Sequence, residues 1–386
     1  MNKTTKIFGA FLCTALVSGI ATATPTQYTI TVVPSIDGTT AMIPTALNNL
    51  GQVVGYAYLA AGDRQAFAAT SLGGALIPTL GGTRSSASGI NDSGQIAGWS
   101  ATGTAAEYRP FLYSQLSGII NLGTLGGRSS IASGINSSGL VVGYSSTSLP
   151  YDSQYAAFTV QPGGQPVRID LSPQQARDSF AYGINDNGDV TGSIYSQNNS
   201  ESYAFLNSYA STALLPGLGG SHATGMAVNN TGQVAGSAAL VNGDQRAFLF
   251  DGAQTINLGT ISDQDNPGYG LGTAAWSGSN AINNRGQVVG TFGFVGYQGR
   301  GFISDGNGMS DLNDLLGPDA IGVWEITDAM AINDAGVIAA YGYRIGEYVG
   351  TTLFLTPVPE SPTFALILLG LVAIVVRRRM TTSEWG

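Results

Sequence analysis

An all-β β-propeller of seven four-stranded blades is the fold class this sequence predicts. Three observations carry the prediction. One ten-residue pattern recurs seven times, a second strand core follows each copy at a nearly constant distance, and the two ends of the array are out of phase. The copies are ALNNLGQVVG (46–55), GINDSGQIAG (89–98), GINSSGLVVG (134–143), GINDNGDVTG (183–192), AVNNTGQVAG (227–236), AINNRGQVVG (281–290) and AINDAGVIAA (331–340). Their asparagines, Asn48, Asn91, Asn136, Asn185, Asn229, Asn283 and Asn333, are spaced by 43, 45, 49, 44, 54 and 50 residues. A period of about 45 residues matches one four-stranded propeller blade.

Each element of the unit has a local reason. Asn and Asp start type I turns because their side chains bond nearby backbone N–H groups, and the glycine three residues on accepts the positive φ of a bulge. Asn-x-x-Gly between two short apolar runs therefore predicts a β-hairpin. The next strand cores are QAFAA (65–69), PFLYS (110–114), AAFTV (156–160), AFLNS (204–208), AFLF (247–250), GFISD (301–305) and LFLT (353–356). Their aromatics run from Phe67 to Phe354, 19 to 22 residues beyond the asparagines. ALIPTLGG (75–82), IINLGTLGG (119–127), ALLPGLGG (213–220) and TINLGT (255–260) supply the fourth strands.

The last unit, 331–356, has its Asn turn and its Phe strand but lacks a fourth strand. The alternating segment QYTITVVPS (27–35) has no partner of its own. Residues 27–35 are therefore expected to complete the last blade and close the ring, because an open array leaves sheet edges unpaired. An open or helical β-solenoid is the rival architecture.

Charge and composition narrow the function classes. Between 24 and 356 there are ten basic and 22 acidic residues, a net charge of −12, and no lysine. Such a surface repels phosphate backbones, so nucleic acid and anionic lipid are poor partners. The 55 glycines suit dense turns, and 43% hydrophobic content is ample for a core.

The ends read as targeting segments. Residues 1–23 have Lys3 and Lys6, an apolar stretch and the small-residue pattern Ala21-Thr22-Ala23, which predicts a secretory leader cleaved after Ala23. The only cysteine, Cys13, lies inside that stretch, so the mature chain has no thiol or disulfide. At the other end Val358-Pro359-Glu360 precedes the 14-residue apolar run 363–376 and then Arg377, Arg378 and Arg379. The run falls short of the ~20 residues of a stable span, and the arginines would hold its end on the cytoplasmic side.

Two resemblances follow from these motifs. Asn-x-x-Gly-Gln-Val-Val-Gly, then (Ala/Pro)-Phe-Leu-Tyr-Ser and Leu-Gly-Thr-Leu-Gly-Gly, resemble the bacterial extracellular HAF repeats over about residues 40–356, most clearly in 89–136. The family's His-Ala-Phe is nowhere intact: Gln65, Arg109, Ala156, Tyr203, Arg246, Arg300 and Thr352 stand two before the aromatic. The tail resembles the PEP-CTERM sorting signal of Gram-negative bacteria. That likeness implies transient inner-membrane anchoring, processing near Pro359-Glu360 by an exosortase-type transpeptidase, and delivery to the cell surface or matrix alongside exopolysaccharide.

Reactive side chains are scarce. The one histidine, His222, reads as a surface or turn residue, and one His without Cys makes a poor transition-metal site. Calcium is the better-supported ion, through Asp186-Asn187-Gly188-Asp189 and the insertion 261–270, although turn chemistry accounts for both. That insertion makes the Asn229–Asn283 step the longest, and Asp263, Asp265, Tyr269 and Trp276 are its candidate binding residues. Trp99, Tyr113, Tyr144, Tyr195 and Tyr297 are candidates for stacking on sugar rings or for packing between blades. The expected function is a secreted, non-enzymatic binding or scaffolding protein linked to exopolysaccharide. The alternative is a propeller enzyme, lyase or hydrolase, acting on polysaccharide through funnel carboxylates.

Overall fold

The computed structural model describes residues 26–103, 107–147, 154–171, 177–208, 211–261, 275–294, 298–306 and 308–359. The described chain is an all-β propeller of short antiparallel strands. Its hydrogen-bonded sheets are five of four strands and one of eight, rather than seven separate ones. The eight-stranded sheet has a physical seam. One parallel pair, Ser202 opposite His222, joins the half 178–214 to the half 219–259, and Ser202 Oγ lies 3.3 Å from His222 Nδ1. His222 therefore sits exposed on the strand Gly219–Val228, a surface residue rather than a turn one. The strand Tyr28–Val32 lies antiparallel to Thr351–Pro357, with Tyr28 opposite Pro357 and Val32 opposite Leu353.

The repeat explains the local geometry. At the first turn Gly51 N–H donates to Asn48 O (3.2 Å) and Asn48 N–H to Gln52 O (3.1 Å). The turn glycines have positive φ, as the hairpin prediction requires: Gly94 75°, Gly139 83°, Gly188 86°, Gly232 81° and Gly286 79°. Ahead of each turn the innermost strand carries a register shift, which leaves Thr45, Ser88, Ser133, Tyr182, Met226, Asn280 and Met330 unpaired.

The second glycine of the pattern is fixed by close approach. A Cβ on Gly143 would lie 1.9 Å from Ile131 O, and one on Gly236 would lie 2.1 Å from Thr224 O and 2.8 Å from the Phe248 ring. Phe67, Phe111, Phe158, Phe205, Phe248 and Phe302 lie opposite such glycines and are fully buried. Each contributes about 1.5–3 kcal/mol by burial. The last unit differs from the expectation. Ala340 faces Leu353, while Phe354 pairs with Ala339, so Leu353 fills the aromatic slot. A smaller partner there leaves room for the alanine Cβ.

Among the described residues no helix is long and apolar enough to cross a membrane. Ala23, Glu360, Arg377, Arg378 and Arg379, with the leader and the apolar run, lie outside the described residues.

Candidate functional site

The seven Asn turns meet at one mouth of a central channel. Each asparagine is buried and hydrogen-bonds through both the nitrogen and the oxygen of its amide. Its Nδ2 donates to the backbone oxygen of the next anchor: Asn48 to Asn91 (3.1 Å), Asn91 to Asn136 (3.0 Å), Asn136 to Asn185 (3.1 Å) and Asn185 to Asn229 (2.8 Å). The series continues from Asn229 to Asn283 (3.1 Å), from Asn283 to Asn333 (3.0 Å) and from Asn333 to Asn48 (3.2 Å). Where the pattern has Gln or Asp four residues on, the same Nδ2 also donates to Gln52, Gln95, Asp189, Gln233 and Gln287. The Oδ1 accepts its own turn's N–H, as from Gln233 at 3.0 Å. No other side chain supplies that donor and acceptor set at this size.

A second ring lies just outside. Backbone N–H groups of Asn49, Ser137, Asp186, Asn230, Asn284 and Asp334 donate at 2.8–2.9 Å to the side-chain oxygens of Asp92, Asp186, Asn230, Asn284, Asp334 and Asn49. These bonds occupy carboxylates that the sequence offers as calcium ligands. Partial burial works to raise the Asp186 carboxyl, but hydrogen bonds from Asn230 and Ser137 outweigh it and hold it below its ordinary value. Asp189 Oδ2 is taken by Asn185 Nδ2 at 2.8 Å. Among the described residues no three His, Asp or Glu side chains group as a metal would require.

Inward from the asparagines stands an aliphatic collar of Leu47, Ile90, Ile135, Ile184, Val228, Ile282 and Ile332. Beyond it a cavity of about 470 Å³ is lined by the unpaired bulge residues, including Tyr182, Met226 and Met330 on one side and Thr45, Ser88 and Ser133 on the other. The channel thus has one repeated, hydrogen-bonded mouth and one variable mouth.

Aromatic residues collect at the variable end. The position after the second glycine is Tyr56, Trp99 and Tyr144 in the first three units, with Tyr341 at the same place in the last, but Ser193, Ser237 and Thr291 in the other three. The Arg64 guanidinium lies 5.0 Å from the Tyr56 ring centre and 4.8 Å from that of Trp99. Trp99 also meets Tyr108 edge-on at 5.0 Å. Tyr144 packs edge-on against Phe180 (4.9 Å) and Tyr182 (6.2 Å), and Tyr195 edge-on against Phe180 (5.6 Å). Burial raises the Tyr182 hydroxyl to about 12 and raises Tyr144 as well.

Sequence-level candidates are placed unevenly. Trp99, Tyr144 and Tyr195 join this aromatic rim, while Tyr113 lines a separate groove with Gln52 and Leu116. Trp276 is half-buried in the strand Ala275–Ile282, beside Gly293. Asp263, Asp265, Tyr269 and Tyr297 lie outside the described residues. Val358 N–H donates to Gln27 O at 2.8 Å, so Val358 lies beside the first described residues. Tyr56, Phe180 and Tyr182 escape sequence reasoning, because only alignment of the units and the bulge brings them together. The asparagine ring escapes it as well. Its one sequence signal is the Gln that follows Asn-x-x-Gly.

No family model and no curated protein matches the chain. Among solved structures it is similar to the β-propeller domain of the Trilobed protease from Pyrococcus furiosus, reported to have an open velcro topology. The TM-score is 0.52 at 10% identity, over 83% of this chain and 94% of that one. Weaker likenesses are a putative TolB from Agrobacterium tumefaciens (TM-score 0.37, 15% identity, 53% and 73% coverage) and an acylaminoacyl peptidase from Pyrococcus horikoshii (0.38, 10%, 81% and 57%). The first of these establishes the fold class, a β-propeller. It also corrects the expectation of a non-enzymatic class: that solved propeller is a domain of a protease, so a propeller fold does not separate this chain from enzymes. The expectation rests on the scarcity of His and Cys, and a protease can carry its propeller as a separate domain.

Proposed function

We propose that this chain is a polysaccharide-binding or scaffolding propeller delivered to the bacterial surface or matrix. The observation that carries the reading is the aromatic rim: Tyr56, Trp99, Tyr144 and Tyr341 occupy one repeat position on four units. Half-buried tyrosine and tryptophan present rigid faces that suit the C–H faces of sugar rings. The variable insertion with Asp263, Asp265, Tyr269 and Trp276 is a second candidate contact region. A glycan screen against residues 26–359 tests the reading, and binding to no polysaccharide would overturn it. The same screen, read for new reducing or unsaturated ends, tests polysaccharide cleavage.

The finer architecture belongs to this proposal. Seven four-stranded blades form a closed ring, with the strand Tyr28–Val32 completing the last. Support comes from the seven Asn-to-Asn bonds returning from Asn333 to Asn48, and from the pairing of Tyr28–Val32 with Thr351–Pro357. Pairing of the first strand with the last unit covers an edge that would otherwise stand open. Sorting completes the proposal: leader cleavage after Ala23, then exosortase-type processing near Val358-Pro359-Glu360, with Arg377, Arg378 and Arg379 left on the membrane side. Mass spectrometry of the native extracellular form is expected to find an end near Glu360. A surface-exposed form ending in Trp385-Gly386 would favour a plain membrane anchor instead.

A further inference from the structure

We propose that the ligand site is an aromatic row of Tyr155, Phe180 and Tyr182 that leads a neutral pyranose chain into the variable mouth of the channel. The inference rests on the polysaccharide-binding reading and names its site and its ligand class. The three rings line up. Tyr155 and Phe180 are 5.6 Å apart at 29°, and Phe180 and Tyr182 are 6.3 Å apart at 6°. Phe180 and Tyr182 stand close together on the strand Asp178–Ile184, their rings nearly parallel across the register shift at Tyr182. Tyr155 comes from the preceding unit, which makes the row a seam between two blades. Tyr144 and Tyr195 stand edge-on against Phe180 and fix its plane.

The row ends in a cavity of suitable size and chemistry. Tyr182 and Tyr144 line the 470 Å³ space, which falls in the range of about 300–1,000 Å³ typical of small-ligand sites. Ser88, Ser133 and Thr45 stand at that cavity too, and Asn280 holds its amide on Ala329 O at 2.9 Å. Apolar faces on one side and hydroxyls on the other fit a sugar, which has both. The collar of Ile90, Ile135, Ile184 and their equivalents lines the cavity on the side of the Asn turns, and the row stands on the variable side. Charge selects among glycans. A lysine-free array carrying ten basic and 22 acidic residues repels uronic acids and sulfated sugars, leaving neutral chains.

The test titrates the protein with cellohexaose and maltohexaose as neutral probes and with oligogalacturonate as an acidic one. Phe180→Ala and Tyr182→Ala are each expected to weaken neutral binding roughly tenfold, while Tyr182→Phe, which keeps the ring, binds nearly as wild type. Tyr113→Ala, outside the row, is the control. Melting temperatures of all variants separate lost contact from lost fold, and an alanine variant that does not fold is replaced by Phe180→Leu. Wild-type binding unaffected by the row variants overturns the site and leaves the function standing. Binding of oligogalacturonate alone overturns the neutral ligand class. Loss on Tyr182→Phe equal to that on Tyr182→Ala overturns stacking, and no binding by wild type removes both proposals.

Discussion

The two mouths of the channel are built from the same seven units and obey opposite rules. At the Asn-turn mouth one bond recurs in every unit, Asn Nδ2 to the next anchor's oxygen, and the anchors are all 3–5% exposed. At the other mouth the equivalent positions hold Thr45, Ser88, Ser133, Tyr182, Met226, Asn280 and Met330, no two neighbours after Ser133 being alike. Repetition marks what every unit needs in order to join its neighbour. Departure from the repeat marks residues that joining does not constrain. In a repeat protein, then, ligand-facing residues are sought where the period breaks.

The largest expected effect falls on the repeated side. Gly143→Val places a Cβ 1.9 Å from Ile131 O, and the strand pair must separate to admit it. We expect a loss above about 3 kcal/mol, or failure to fold. Asn229→Ala comes next. It removes the bonds to Asn283 O and Gln233 and strands the N–H groups of Thr231 and Gln233, for about 2–3 kcal/mol. Denaturant melts check both. The contrast between the mouths would break if Asn229→Ala left stability unchanged, or if it altered glycan binding in protein that remained folded.

Much of this contrast is legible in the amino-acid sequence. The period locates the strand cores and the turn glycines, and it places all seven asparagines in one phase. It cannot reveal that each amide reaches another anchor, because six of those contacts join residues 43 to 54 apart and the seventh residues 285 apart, and a turn accounts for Asn equally well. Spacing alone also puts Phe354 in the aromatic slot, where pairing puts Leu353. The aromatic row is only half visible: Tyr144 and Tyr195 stand out as aromatics, but Tyr182 reaches the channel only through a register shift between Ala181 and Gly183.

A pH titration gives a smaller effect that sharpens the comparison. Burial raises both Tyr28 and Tyr182 from 10.0 to about 12. Between those values the unfolded chain has released protons that the folded chain retains, so stability falls as pH rises from 10 towards 12. Well below that window both groups are protonated in either state and contribute no slope. Tyr28→Phe and Tyr182→Phe should each flatten the alkaline fall in part, because burial raises Tyr56, Tyr144 and Tyr341 as well. Urea melts at about pH 9, 10 and 11 check this, and an unchanged slope in both variants would show that other groups dominate.

The smallest effect probes an exception inside the repeated architecture. Six residues before the anchor, the inner strand carries Ser85, Ser179 and Ser277, each accepting the N–H of the residue before the previous unit's phenylalanine: Ala66 (2.9 Å), Ala157 (3.0 Å) and Ala247 (3.0 Å). In one unit that residue is Pro110, which has no N–H to give, and Ser130 Oγ is buried without a partner. Pro110→Ala restores the donor for about 1 kcal/mol, partly offset by the greater freedom of the unfolded chain. A double-mutant cycle removes that offset. With Pro110 present, Ser130→Ala should stabilise, since it deletes an unsatisfied hydroxyl, and Ala223 already stands at the same repeat position. In the Pro110→Ala background, Ser130→Ala should destabilise, because it strands the new N–H. The sign therefore reverses between backgrounds. The same sign in both would mean that Ser130 has no stake in the bond between units, and that the repeated contacts tolerate more departure than the Asn ring suggests.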